Sequence, residues 1–315
     1  MLSPAVFLMG PTGAGKTDLA VKLADEFPFA VISVDSVQVY KGMDIGTGKP
    51  SKACLRAVPH RLIDIRDPQQ TYSAAKFRCD ALREMADISA AGKIPLLVGG
   101  TMFYFHTLAH GIDQLPAADG VLRDRLDRRA RQVGWRFLHQ QLALVDPQSA
   151  ARIDPNDRQR IQRAMEVYHL TGVPLGHQAR GPSAPAPYRI YKTAITPADR
   201  GELHRRIERR FRDMLGRGLI DEVQKLLQRP EITPDLPSLR VVGYRQVVEY
   251  IERKVGYNEM VDKAVAHTRN LAKRQLTWLR NQGGVVWIDS LDFNCAQGRA
   301  DPVCEYMHET LAGWV

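Results

Sequence analysis

The sequence predicts an α/β protein, a P-loop-type parallel sheet flanked by helices and interrupted by a helical insertion domain. Three observations predict it. Short apolar runs ending at Gly or Asp alternate with amphipathic stretches, the pattern of a parallel sheet with helices on both faces. The segment Gly10-Pro11-Thr12-Gly13-Ala14-Gly15-Lys16-Thr17 joins the first such run to the first helix. A strand-free, arginine-rich stretch from about Leu115 to Arg180 then separates this half from a second set of elements.

The first strand is read at Ala5–Met9, and Asp18 to Glu26 has helical periodicity. Ala30–Val34 is a second buried strand that stops at Asp35, and Arg61–Ile65 and Ile94–Val98 have the same character. Between those two, Ser73–Ala91 is a helix rich in Ala, Leu and Arg. In the insertion, Arg123, Arg125, Arg128, Arg129 and Arg131 share one helical stretch and Arg158–Leu170 forms another. Gly181-Pro182-Ser183-Ala184-Pro185-Ala186-Pro187 has the composition of a linker. A strand at Arg189–Ile195 resumes the core. Helices at Glu202–Leu215, Ile220–Leu227, Gln246–Arg253 and Glu259–Leu279 follow, with a last strand at Val285–Ile288. The tail after Ser290 shows no clear pattern and is expected to be loosely ordered. The domain organisation expected is a first core segment at 1–114, the insertion at 115–187, core completion with basic helices at 188–290, and a tail at 291–315.

Composition narrows the function classes. The chain has 315 residues, 44% of them hydrophobic, which is ample for a large core. No apolar run approaches the roughly 18 residues of a membrane span, and the N-terminal residues lack the basic and small-residue features of a signal peptide. Cys54, Cys79, Cys295 and Cys304 are scattered, so neither a zinc site nor a disulfide framework is expected. A reducing cytoplasm fits best, and no obligate protein partner is evident, so a monomer is expected. The net charge is +9, and Arg200 to Arg280 holds 18 Lys+Arg against 11 Asp+Glu. A localised basic zone is a footprint for a polyanion, although a solvated, ion-paired helix surface has the same composition.

The segment Gly10–Thr17 fits G-x-x-x-x-G-K-[ST]. Its glycines let the backbone turn N–H groups inward at phosphate oxygens, and the helix that follows adds its positive dipole end. Lys16 supplies a point charge, and the Thr17 hydroxyl can ligate Mg²⁺. The strand-to-helix setting is the one the motif requires. Which diphosphate it holds is open on spacing alone. Val31–Asp35 and Leu62–Asp64 both resemble the Asp-terminated strand of a nucleotide hydrolase, yet neither has a kinase-type partner or lid. Asp35 opens Asp35-Ser36-Val37-Gln38-Val39-Tyr40 at a strand tip, where a carboxylate can hold Mg²⁺ or act as a general base. A lone Asp there is by default a turn residue, and only the neighbouring phosphate loop favours chemistry. Ser36, Gln38 and Tyr40 offer donors, acceptors and a stacking face for a base. Gly99-Gly100-Thr101 lets backbone approach a ligand closely, or simply turns the chain.

Taken in order, these segments resemble the bacterial tRNA dimethylallyltransferase (isopentenyltransferase) family. The likeness extends to Met43-Asp44-Ile45-Gly46-Thr47-Gly48-Lys49-Pro50, Pro59-His60-Arg61-Leu62-Ile63-Asp64, Asn156-Asp157-Arg158-Gln159-Arg160, Val242-Gly243-Tyr244-Arg245-Gln246 and Leu271-Ala272-Lys273-Arg274-Gln275-Leu276. The resemblance implies that Gly10 through Thr17 hold the diphosphate of dimethylallyl diphosphate, with Mg²⁺ on Thr17. It implies that Asp35 accepts the proton of an adenine amine, that Mg²⁺, Lys16 and an arginine, assigned to Arg210, neutralise the leaving group, and that Thr12 and Thr101 hydrogen-bond phosphate oxygens or substrate. Contacts to a tRNA anticodon stem-loop are implied for Asp35, Ser36, Val37, Gln38 and Thr101 around the base. On the insertion they fall on Arg123, Gln159, Arg160, Ile161, Gln162 and Arg163, and on the basic helices on Arg245 and Arg274. Three other readings stay open: a small-molecule P-loop kinase, an isopentenyltransferase acting on free adenylate, and a nucleic-acid-binding NTPase switch.

Overall fold

The first strand, β1 (Ser3–Met9), is apolar on both faces, as a strand covered by helices on each side must be, and it runs directly into the Gly-rich loop. In this computed structural model, which describes residues 2–178, 183–291 and 302–312, it is followed by α1 (Lys16–Glu26) and β2 (Phe29–Val34). Next come α2 (Lys52–Ala57), β3 (His60–Arg61) and α3 (Ala74–Ala90). Ser51 and Ser73 cap α2 and α3 by accepting backbone N–H bonds. Phe77, Ala81, Met85 and Ile88 recur along α3 at helical spacing and are buried against the sheet. β4 (Ile94–Gly99) and α4 (Met102–His110) complete this half.

The chain forms two compact units, Met1–Ala109 with Pro185–Val315, and His110–Ala184. The second contains α5 (Gly120–Val133), α6 (Trp135–Val145), α7 (Pro147–Arg152) and α8 (Arg158–Thr171) around its own apolar centre of Leu126, Leu138, Leu142 and Ile161. Of the expected linker, Gly181 and Pro182 lie outside the described residues, and 183–187 has neither helix nor strand. The first unit resumes with β5 (Tyr188–Thr196), α9 (Arg200–Gly216), α10 (Leu219–Leu227), α11 (Tyr244–Ile251), α12 (Tyr257–Arg280), β6 (Val285–Asp289) and α13 (Pro302–Leu311). Among the described residues no helix is long and apolar enough to cross a membrane.

The six-stranded sheet has the order β3-β2-β4-β1-β5-β6, with every pair parallel. One face packs on α3, α4 and α10 to α12, the other on α1 and α13. The register positions the site: Met9 of β1 and Val34 of β2 both pair with Gly99 of β4. The three strands therefore end level, and the loops after them open at one edge, where ligands bind in parallel sheets.

Two expectations are corrected. The strand at Arg61–Ile65 stops at Arg61, because Leu62 (φ 63°) and Asp64 (φ 55°) are left-handed and cannot continue a pleat. The tail is not patternless: α13 carries Val303, Met307 and Leu311 four residues apart, fully buried against the face formed by Leu19, Leu23 and Phe27. Residues 292–301 between lie outside the described residues. Met307→Ala should therefore lower unfolding stability by about 2–5 kcal/mol in urea titration, the usual cost of emptying a core position. A change below about 0.5 kcal/mol, normal for a surface position, would show that α13 does not belong to the core.

Candidate active site

The loop between β1 and α1 turns through Gly15, whose φ of 89° is a left-handed conformation that only glycine adopts without strain. This aims the N-terminus of α1, and Lys16 at its first position, into a cavity of about 360 Å³. Its lining comprises Thr12, Gly13, Gly15, Lys16 and Thr17 of the loop and α1, Asp35, Gln38 and Gly100 from beyond the strand tips, and Thr47 to Ser51 with Arg210. Gly10, Pro11 and Ala14 are buried behind the loop and contribute its backbone course only. The Lys16 amine donates to the carbonyls of Gly10 (3.0 Å) and Pro11 (2.7 Å). Burial, then the charge of Arg210, pushes its pKa down to about 7, with Asp35 opposing both. Arg210 is likewise lowered, chiefly by burial, with Asp35 in opposition. Two cations held this close out of water make a site for an anion.

The Asp35 carboxylate is fixed by its own turn. Its Oδ1 accepts the N–H of Val37 (2.8 Å) and of Gln38 (3.2 Å). The Ser33 hydroxyl donates to the Gln38 side-chain carbonyl at 3.0 Å, and Thr101 Oγ1 accepts the Ser36 N–H at 3.1 Å. Thr101 thus braces the Asp35 loop and is absent from the cavity lining. His60 reaches the cavity from β3; its Nδ1 lies 2.7 Å from the Val58 carbonyl, and burial lowers its pKa against the opposing effect of that contact.

The expected tRNA contacts separate into three groups. Gln159, Arg160, Arg245 and Arg274 are exposed and available to a polyanion, as is Ser36. Arg123 and Arg163 instead pair with the fully buried carboxylate of Glu166 (2.8 and 2.6 Å), and Gln162 donates to Asp127. These three hold α5 to α8, and removing either arginine would take one of two ion-pair partners from a buried carboxylate. The Ile161 side chain is fully buried and unavailable to RNA, whereas Val37 is half-buried against the core of the first unit.

Three residues at the site were given no role by the sequence reading, although Lys49 and Gln275 lie within its motifs. Gln275 on α12 accepts the Thr12 N–H (2.9 Å) and donates to the Gly100 carbonyl (2.8 Å), clamping the phosphate loop to the tip of β4. Its neighbour Arg274 drew attention because charge is visible in a sequence and an amide clamp is not. Lys49 lines the cavity with its buried amine bound to Asp44, Asp64 and the Tyr40 carbonyl. Glu222 holds the turn that carries Lys49.

A phosphate cradle and a fixed carboxylate on one cavity suit group transfer from a diphosphate to a protonated nucleophile. Residues 38–282 fit the model of the family described as IPP transferase. The chain belongs to the IPP transferase family. It is similar over 99% of its length to the crystal structure of the full-length tRNA isopentenylpyrophosphate transferase from Bacillus halodurans, at 36% identity, 96% coverage of that chain and TM-score 0.71. The Staphylococcus epidermidis tRNA delta(2)-isopentenylpyrophosphate transferase matches at 30% identity, over 99% of this chain and all of the other, with TM-score 0.68. A eukaryotic dimethylallyltransferase acting on tRNA shares the fold at 24% identity and TM-score 0.79, over 99% of this chain and 80% of that one.

The lowered Lys16 pKa gives a pH signature with a definite sign. Below about 7 the amine is already charged; above it, an arriving anion must draw in a proton. Pyrophosphate affinity should thus fall about tenfold per pH unit above that point, until the pKa of the complex is reached. Lys16→Arg, which stays charged, removes this component, so the wild-type slope should exceed the variant's by about one. Equal slopes in calorimetric titrations would contradict the assignment.

Proposed function

We propose that this enzyme transfers the dimethylallyl group of dimethylallyl diphosphate to the exocyclic N6 of the adenine 3′-adjacent to the anticodon in tRNA, releasing diphosphate. The observation that carries this reading is that Asp35 lines one cavity with Lys16 and Arg210. The two relatives with 36% and 30% identity, both named as tRNA isopentenylpyrophosphate transferases, support it.

The chemistry follows from the residues. The backbone N–H groups of the loop and the Lys16 and Arg210 cations grip the diphosphate. The N6 lone pair forms the new C–N bond to the allylic carbon, and the C–O bond breaks with its electron pair leaving on the diphosphate. Lys16 and Arg210 stabilise that growing charge. Asp35, oriented by the Val37 and Gln38 N–H groups, takes the proton released from the amine. Thr12 is placed at the cavity wall to bond phosphate or substrate oxygens, and Thr101 acts through the Asp35 loop.

Mg²⁺ fits this donor set. A hard cation of this kind is held by one or two protein oxygens together with substrate phosphates and water, and Thr17 presents a hydroxyl beside Lys16 in the cavity. Among the described residues no cluster of three or more His, Cys, Asp or Glu side chains offers a separate cage. When bound, the ion would neutralise diphosphate charge. Taking an adenine out of a single-stranded loop costs only a few kcal/mol. The exposed Gln159, Arg160, Arg245 and Arg274 would hold the stem by phosphate contacts, in a cytoplasmic enzyme acting as a monomer.

Asp35→Ala should keep tRNA affinity within several-fold and lose roughly 10²–10⁴ in single-turnover rate, the worth of a positioned base. The assay follows labelled dimethylallyl diphosphate into tRNA with Mg²⁺ present. Intact chemistry with collapsed tRNA affinity would make Asp35 a binding residue. Robust tRNA-stimulated ATP hydrolysis by the wild type, without prenylated adenosine, would replace the reading with a nucleotide-driven one.

A further inference from the structure

The turn from Met43 to Pro50 contains neither helix nor strand, and its residues Thr47 to Pro50 line the same cavity as the phosphate loop. It is held from behind by residues far along the chain. Glu222 on α10 accepts the N–H of Asp44 (2.9 Å) and Ile45 (2.7 Å) at Oε2 and that of Gly46 (3.2 Å) at Oε1. The Tyr244 hydroxyl donates to the same Oε1 at 2.5 Å. Three consecutive backbone N–H groups converging on a carboxylate form an anion nest, here filled by the protein's own side chain. Burial first, and then the charge of Glu222, raise the Tyr244 phenol far above its usual range, which keeps it a donor.

The turn is pressed between two side chains. A Cβ at Gly46 would stand 2.5 Å from the Tyr244 ring and 2.8 Å from Leu219. Gly48 is left-handed at φ 62°, and a Cβ there would overlap the Arg210 guanidinium. The turn therefore transmits position directly: Tyr244 and Glu222 bear on residues 44–46, and residue 48 is the surface on which Arg210 rests. The Gly48 carbonyl also accepts from Gln38 at 3.4 Å, and the Thr47 hydroxyl closes the turn onto the Met43 carbonyl at 2.6 Å.

We propose that Glu222, backed by Tyr244, is a positioning residue for the diphosphate site, fixing the Met43–Pro50 turn so that it seats Arg210 in the cavity with Lys16. The inference rests on the diphosphate-site reading given above. It differs from a purely structural role in what it changes. A residue that only stabilises the fold would lower the melting temperature and leave the affinity of the folded protein for phosphate intact. Loss of this contact should instead loosen Arg210 and weaken the donor site selectively, since the RNA-facing arginines Arg160 and Arg274 do not touch the turn.

The test uses the full chain and inorganic pyrophosphate with Mg²⁺, followed by calorimetry, with tRNA affinity and melting temperature measured in parallel. Glu222→Gln places an NH₂ group against N–H or O–H donors at one of the two oxygens. Losing bonds to a charged acceptor should weaken pyrophosphate binding about tenfold and raise the KM for dimethylallyl diphosphate in proportion, with tRNA affinity within about twofold. Tyr244→Phe removes one donor and leaves the three backbone bonds, so about a threefold effect in the same direction is expected. Unchanged pyrophosphate affinity in folded Glu222→Gln, or equal weakening of pyrophosphate and tRNA, overturns the proposal. Should Glu222→Gln fail to fold, Tyr244→Phe decides by the same two criteria. Pyrophosphate binding is read without any prenyl transfer. A wild type that binds it but never modifies tRNA would sink the proposed function and leave this inference standing.

Discussion

The site depends on holding two cations, Lys16 and Arg210, largely out of water, where burial lowers the basicity of both and the charge of Arg210 lowers that of Lys16 further. Such an arrangement is unfavourable by itself, because desolvation and like-charge repulsion both act against it. Every other feature of the site opposes that tendency or exploits it. The Lys16 amine is tethered to two loop carbonyls, Arg210 is laid on Gly48, and the charge of Asp35 opposes the lowering of both cations. An arriving diphosphate relieves the repulsion, so binding energy is concentrated where negative charge grows as the allylic bond breaks.

The parallel sheet makes the convergence possible. Because β1, β2 and β4 end in register at Met9, Val34 and Gly99, the phosphate loop, the Asp35 turn and the Gly100 turn emerge side by side. Three long-range contacts then fix their spacing. Gln275 ties the phosphate loop to the Gly100 turn, Thr101 ties that turn to the Asp35 loop, and Glu222 holds the Met43–Pro50 turn. Helices from the C-terminal half thus shape a pocket whose reactive groups lie mostly in the first fifty residues.

What could be read in advance were the features encoded locally. Gly10–Thr17 and Asp35 carry their meaning in a few adjacent residues, and the alternation of strand and helix is a matter of period. Contacts between distant positions were not accessible: Thr12 and Gln275 are 263 residues apart, and Asp44 and Glu222 are 178 apart. Helix orientation was a second blind spot. For Arg160-Ile161-Gln162-Arg163 the resemblance implied a continuous run of tRNA contacts, but one turn of α8 sends Arg160 to solvent, Ile161 into the core and Arg163 to Glu166. Conversely, the Val303, Met307 and Leu311 stripe was present in the tail but hard to see, because a ten-residue helix offers only three such anchors.

The most direct test of the account maps the product. Wild-type protein, dimethylallyl diphosphate, Mg²⁺ and unmodified tRNA are incubated, the RNA is cut with nuclease, and the anticodon-loop fragment is sequenced by tandem mass spectrometry. The account predicts that one hydrogen is replaced by one dimethylallyl unit on N6 of the adenine 3′-adjacent to the anticodon, with one diphosphate released per modification. A prenyl group on free AMP with none on tRNA, or diphosphate release without any modified base, would contradict it.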